Sequence, residues 1–206
     1  ANPSIDPQFL SVDTALIVPL SDEIAVTAAT PTPVPVEWDE PVCYRTADGG
    51  AWCFLLAENQ MVTALENLSA SIGLFGNDGE IVASQVAVGP INILRSGQAM
   101  PLMAYFQPPL PADIAVRAEL LTAISIPEDD ERYLDWPLAD LAIEIMGDTL
   151  LEARITGRIM QPEETTSPGQ VWIAAIAYDQ SDQVVGVRKL ENTDDLIVDL
   201  TVYSLG

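Results

Sequence analysis

Residues 74–82 have the pattern of a β-hairpin, Leu74-Phe75-Gly76-Asn77-Asp78-Gly79-Glu80-Ile81-Val82. Residues 177–185, about a hundred positions further on, repeat it as Ala177-Tyr178-Asp179-Gln180-Ser181-Asp182-Gln183-Val184-Val185. Both place an aromatic residue before a run of turn-forming residues and a branched apolar pair after it. A repeat at this distance predicts the duplication of a small domain rather than a solenoid.

Short runs with the alternation of β-strands surround both hairpins. They cover residues 42–44, 52–56, 68–75, 81–88, 99–106 and 114–124, and then 141–146, 150–160, 171–178, 184–190 and 196–205. This spacing predicts an all-β fold of two β-sandwich domains, residues 37–126 and 138–206. Residues 127–137 are acidic and lie between prolines, and they are predicted to be the interdomain linker.

An isolated strand pattern precedes the first domain, within residues 1–36. Within residues 8–20 a period of two places five apolar side chains on one side, namely Leu10, Val12, Leu16, Val18 and Leu20. The prolines at 31, 33 and 35 then predict an extended, semi-rigid spacer. A lone strand is not stable in water, so the segment is expected to pair with a neighbouring chain, with its own chain or with a different partner.

The charge of the chain excludes several partners. Its 31 acidic and 8 basic residues give a net charge of −23, so nucleic acid and anionic membranes are poor partners. No apolar run approaches the ~20 residues that span a bilayer, and no transmembrane segment is predicted. The sequence begins at Ala1 without Met and stops just after its last strand, as expected of a processed start and of a fragment boundary or a tight C-terminus.

The two cysteines are suited to a disulfide. Cys43 and Cys53 flank a glycine-containing turn, so they can face each other across a hairpin. Two thiols alone make an incomplete zinc site, and reduced core cysteines are the remaining alternative. A disulfide would favour an oxidising compartment.

No catalytic signature is present. The chain lacks histidine, which excludes a Ser-His-Asp triad, and no Gly-x-Ser-x-Gly motif occurs. We therefore expect no enzyme and no cofactor. The sharpest acidic cluster, Glu128, Asp129 and Asp130, is a candidate Ca²⁺ site at the domain junction, although in a chain this acidic a solvated linker is the favoured explanation.

Both halves resemble the FxLYD type of immunoglobulin-like module of bacterial surface and secreted proteins. The second half carries the pattern in Ile155-Thr156-Gly157, Ala177-Tyr178-Asp179, Val184-Val185-Gly186 and Val202-Tyr203. The first carries it in residues 52–59, Leu74-Phe75, Ile81-Val82 and Tyr105-Phe106, with Gly76 in place of the Asp. The resemblance covers residues 40–206 and implies tandem immunoglobulin-like sandwiches exposed at a surface, with no catalytic residue to carry over.

These observations predict a non-enzymatic structural protein, extracellular or at the cell surface. We expect a subunit of a surface assembly or filament, linked through its N-terminal strand by self-association or to a surface partner. The alternative is a carbohydrate- or protein-binding module of a larger secreted or membrane-anchored protein.

Overall fold

The computed structural model of the protein describes residues 34, 36–147, 151–161, 170–192 and 197–205. This part of the chain contains thirteen β-strands and no helix, so the all-β prediction is confirmed. No membrane-spanning helix is found in it either. The strands are β1 (Glu37–Trp38), β2 (Val42–Arg45), β3 (Ala51–Glu58), β4 (Ala64–Phe75), β5 (Ile81–Val88), β6 (Ile93–Leu94), β7 (Ala99–Phe106), β8 (Ala115–Ile126), β9 (Leu138–Met146), β10 (Glu152–Ile159), β11 (Val171–Tyr178), β12 (Val184–Asn192) and β13 (Ile197–Tyr203).

Strands β1–β8, here called the N-terminal part, form two antiparallel layers. β3 pairs with β1, β2 and β7, whereas β4 pairs with β5, β6 and β8. The layers join where Val88 of β5 pairs with Met103 of β7. Alternate side chains of β3, β4 and β7 point between the layers and form the larger core, including Leu55, Ile72 and Leu102. The period-two pattern of the sequence thus supplies one buried face to each layer.

Strands β9–β13, here called the C-terminal part, form two smaller antiparallel sheets. One has the order β13-β10-β9, and the other consists of β11 and β12. Their facing side chains form a second core around Ile159, Ala175, Val198 and Leu200. β12 approaches β13 so closely at Gly186 that a Cβ there would collide with the carbonyl oxygen of Tyr203. Glycine is therefore required at this crossing.

The two matched hairpins have the same geometry. Phe75 pairs with Ile81 and Tyr178 pairs with Val184, and in both hairpins the ladder shifts register immediately before the aromatic residue. The fourth turn residue has a left-handed backbone in each, with φ of +81° at Gly79 and +60° at Asp182. The predicted equivalence of these hairpins is therefore confirmed at the level of individual residue pairs.

The largest boundary error concerns β4, which was expected to begin at residue 68 and begins at Ala64. Glu66 breaks the apolar alternation there, yet it is buried. Its carboxylate accepts a hydrogen bond from the Tyr133 hydroxyl (3.1 Å) and pairs with the Arg132 guanidinium (2.9 Å). A buried acid held by distant partners is invisible to a local pattern. The two-residue strands β1 and β6 were not predicted.

Candidate functional site: an unpaired strand edge

The two parts use corresponding strands but differ at one position. β2, β3 and β7 correspond in pairing to β9, β10 and β13, and the hairpin β4–β5 corresponds to β11–β12. In the N-terminal part β8 pairs with the other edge of β4 over its whole length, from Ala64 opposite Ile126 to Phe75 opposite Ala115. Among the described strands, β11 pairs with β12 alone. The backbone N–H and C=O groups of its second edge thus have no partner strand in the part of the chain that the structure describes.

No described strand covers one face of β9. Ile143 and Ile145 pair with Ile155 and Ala153 of β10 and so point to the core side of that sheet. Nevertheless Ile143 is 64% exposed and Ile145 is 54% exposed. The facing sheet covers neighbouring side chains of β10 and β13, but its described strands, β11 and β12, do not cover these two isoleucines.

The N-terminal part shows how the same position is covered. Cys43 of β2 occupies the position that corresponds to Ile145 of β9. The paired row across the N-terminal sheet is Cys43, Cys53 and Ala104, and the corresponding row across the C-terminal sheet is Ile145, Ala153 and Val202. Cys43 packs against the core together with Ile114 and Val116, at the start of β8. The end of β2 is also tied to the segment before β8, because the Arg45 guanidinium donates to carbonyl oxygens of residues 110–112. β8 thus covers β2, whereas no described strand covers β9.

The uncovered position forms an apolar groove of about 640 Å³ between the two sheets of the C-terminal part. It is lined mainly by Ile143, Ile145, Ile155, Ile176, Tyr178 and Val202. Burial raises the pKa of the Tyr178 phenol above its ordinary value. The pKa of Tyr44, at the rim, is also raised, first by burial and then by the negative charge of Asp179. A phenol is already neutral at physiological pH and stays so here, while two carboxylates, Glu152 and Asp179, also line the mainly apolar groove.

The sequence predicts that the N-terminal segment supplies a pairing strand. Leu10, Val12, Leu16, Val18 and Leu20 lie outside the described residues. Their pairing therefore stays a prediction, as does the extended spacer through Pro35.

The acidic junction has partners of its own. The Glu128 carboxylate accepts a hydrogen bond from the Ser96 N–H (3.2 Å) and lies 3.7 Å from the Arg95 guanidinium. Asp130 accepts hydrogen bonds from the side chain and backbone of Arg132, which hold its pKa below the ordinary value. The described residues contain no group of three potential ligands arranged for a metal ion, so the Ca²⁺ hypothesis for Glu128, Asp129 and Asp130 gains no geometric support.

The predicted disulfide between Cys43 and Cys53 is confirmed. It joins directly opposed residues of β2 and β3, and the described part of the chain has no free cysteine. Closure of so short a loop stabilises the fold by about 2–3 kcal/mol in the chain-entropy model.

The four tryptophans lie at two kinds of position. Trp38 and Trp136 pack against the two cores. Trp52 and Trp172 lie within strands and are only half-buried. Trp52 lies beside the Tyr105 ring (5.2 Å between centroids), and the Lys189 ammonium lies 3.5 Å from the centre of the Trp172 ring. Position within a strand predicted their secondary structure but not which face they occupy.

Sequence reasoning identified β9 and β11 as strands but missed the groove between them. Alternating apolar residues such as Leu141, Ile143 and Ile145 look the same in sequence whether or not another strand covers them. The available signal was the number of strands that follow each hairpin: β6, β7 and β8 follow the first, and of the described strands β13 alone follows the second.

No family model, curated protein or solved structure matches this chain. The interpretation of its function therefore rests on the chain itself.

Proposed function

We propose that this protein is a non-enzymatic structural subunit of an extracellular or cell-surface assembly, such as a filament. In this proposal its two sheet pairs are tandem immunoglobulin-like domains, and copies are linked by strand exchange through the N-terminal segment. The observation that carries the proposal is the exposed apolar face of β9, which lies beside an edge of β11 that no described strand pairs with. An apolar face of this kind in an otherwise well-packed fold is typical of an interaction surface.

Two further features agree with this setting. The Cys43–Cys53 disulfide is the kind of cross-link that persists in oxidising compartments. A net charge of −23 opposes non-specific association of copies, so a lasting contact must come from a particular uncharged surface.

Deletion of residues 1–30 tests the proposal. We expect the intact chain to form higher-order species. The truncated chain should remain monomeric and keep the far-UV circular dichroism signal of the β-strands. Light scattering and electron microscopy measure the difference. Equal assembly of both chains, or monomers of both in physiological salt, would count against a structural subunit linked in this way.

The alternative, a carbohydrate- or protein-binding module, is favoured by a second cavity. It has a volume of about 340 Å³ and is lined by Trp172, Tyr133, Arg95, Arg132 and Gln170 among others. The Trp172 indole N–H is buried and has no hydrogen-bond partner among the described residues. Aromatic rings beside polar donors suit a sugar. Titration with oligosaccharides, followed by tryptophan fluorescence in the intact chain and in Trp172→Phe, tests this candidate. A response that the substitution leaves unchanged would exclude this cavity.

A further inference from the structure

We infer that the outward side of the sheet β8-β4-β5 is a self-association surface, on which a second copy of this chain packs face to face about a two-fold axis. The surface belongs to the N-terminal part and is separate from the groove beside β9. The inference therefore goes beyond the proposed function and rests on other residues.

The surface, here called the outer face, consists of the outward side chains of residues 69–75 of β4, 81–88 of β5 and 115–122 of β8. In β4 the buried Ala70, Ile72 and Leu74 point to the larger core, so the residues between them point outward. The ladders then place Val86 of β5 and Glu119 of β8 on either side of Ser71. Paired residues of neighbouring strands share one side of a sheet, so these side chains also point outward.

The matched hairpin of the C-terminal part shows that the fold does not require apolar residues on this side. The pairings align Val86 with Lys189 and Val88 with Glu191. Lys189 and Glu191 form an ion pair with 2.6 Å between Nζ and Oε1. Val86 is 57% exposed and Val88 is 50% exposed, and neither packs against the larger core. Exposed valines where the equivalent strand carries charges are typical of a contact surface.

The charges of the outer face favour a second copy as the partner. Arg117 and Glu119 are its two ionisable residues, so the face is neutral in a chain with a net charge of −23. Neither forms an ion pair within the described residues, and the Arg117 guanidinium lies over the Phe75 ring, 4.8 Å from its centre. A two-fold contact that brings Arg117 against Glu119 of the other copy also forms the reverse pair. Two copies can therefore meet here with complementary charge in spite of their overall repulsion.

One two-fold axis brings the charged and the apolar residues together. Ala118 lies midway between Arg117 and Glu119. It is level with Gln85 of β5, because both residues pair with Ile72. An axis across the strands at this level lays each charge of β8 over the opposite charge of the other copy. It also lays β5 over β5, so that the exposed valines are covered in the same contact.

The size of the outer face indicates when the contact forms. Three strands of about eight residues cover roughly 14 Å by 27 Å, or about 400 Å² per copy. Two copies therefore bury about 800 Å², which is less than the roughly 1,200 Å² of the smallest stable complexes. Dilute copies should stay apart, whereas copies gathered in an assembly meet many times over. The contact is thus suited to joining assembled chains side by side.

Disulfide cross-linking of full-length copies at high concentration tests the contact. One copy carries Ser84→Cys and a differently tagged copy carries Val86→Cys, because an axis level with Gln85 brings these two positions together. We expect a mixed-tag covalent dimer under mild oxidation. Val62→Cys in place of Ser84→Cys is the control, since Val62 is 87% exposed and lies off the outer face, and it should give at least tenfold less. Circular dichroism verifies that each variant folds.

Exchange of the charges tests the two-fold arrangement. When both copies also carry Arg117→Glu, glutamates face glutamates and the cross-link should fall at least tenfold. When one copy carries Arg117→Glu and the other carries Glu119→Arg, opposite charges face each other again and at least half of the yield should return. Equal yields in all three backgrounds, or loss without this recovery, would overturn the two-fold contact.

The reactivity of Val86→Cys in dilute full-length protein identifies a different occupant. Its thiol should react with a maleimide as fast as the exposed thiol of Val62→Cys. A tenfold slower reaction would mean that another segment of the same chain covers the outer face, and it would overturn the second copy as the partner.

The proposed function fails or stands separately. Deletion of residues 1–30 leaves the outer face intact, so the cross-link between Ser84→Cys and Val86→Cys does not depend on the N-terminal segment. Cross-linking of chains that never form end-to-end assemblies would support this inference and count against the proposed function. Assembly without a cross-link above the control would do the reverse.

Discussion

Replacing Ile145 by Asp should damage assembly far more than it damages the fold. Ile145 is 54% exposed, so about half of its side chain is covered in the single chain. Full burial of an isoleucine contributes roughly 1.5–3 kcal/mol, and the substitution should therefore lower the free energy of unfolding by about 1 kcal/mol through lost burial. Loss of β-propensity adds up to about 1 kcal/mol.

The cost in the assembly is larger. Once a strand covers β9, the introduced carboxylate would be buried without a partner, which costs several kcal/mol. Since about 1.4 kcal/mol changes an equilibrium constant tenfold, a 3 kcal/mol penalty weakens association by roughly a hundredfold. Val62→Asp is the matched control, because Val62 is a branched residue between β3 and β4 that is 87% exposed and lies away from the groove. It adds the same charge and should leave assembly unchanged.

Chemical denaturation of dilute protein and light scattering of concentrated protein measure the two effects separately. Equal assembly of both variants would refute the argument. So would a loss of more than about 3 kcal/mol for Ile145→Asp in the monomer, because that value would mean that the face of β9 is already covered within one chain.

Three other outcomes follow from the geometry. Reduction of the Cys43–Cys53 disulfide should lower the free energy of unfolding by about 2–3 kcal/mol, as measured by denaturant titration with and without reductant. The matched turn positions Gly79 and Asp182 both have positive φ, which glycine adopts more easily than other residues. Gly79→Asp should therefore destabilise the protein by about 1 kcal/mol, whereas Asp182→Gly should not, and thermal unfolding of the two variants measures the difference. The lowered pKa of Asp130 means that its contribution to stability is present above the pKa of an unfolded Asp, near 4, and is lost as the pH falls through the lower folded value. Carboxyl NMR titration of Asp130 measures this, and an ordinary pKa would contradict the arrangement.

Local pattern was sufficient to predict most of the fold. Alternation identified β8 as a strand in spite of Arg117 and Glu119, and the turn residues around Gly79 and Asp182 placed both hairpins in their observed register. The disulfide followed from spacing and an intervening turn. These features are determined within about a dozen residues, where side-chain period and turn chemistry dominate.

Long-range arrangement was not predictable in the same way. Whether Ile143 is covered depends on the number of strands in the opposite sheet, which no local window contains. Burial of Glu66 depends on Arg132 and Tyr133, more than sixty residues away along the chain. The candidate site therefore emerged only when the two sheet pairs could be compared strand by strand.

The position of the disulfide has a mechanical consequence. In a filament under tension, the pull on this chain would enter through residues 34–36 and reach β1 and then β2. At Cys43 the load passes directly to Cys53, so the nine intervening residues, 44–52, carry none of it. Stretching could not release their contour length, about 30 Å when fully extended, unless the bond were first reduced. In a pulling experiment, the N-terminal part should lengthen by that much more in the presence of reductant than in its absence.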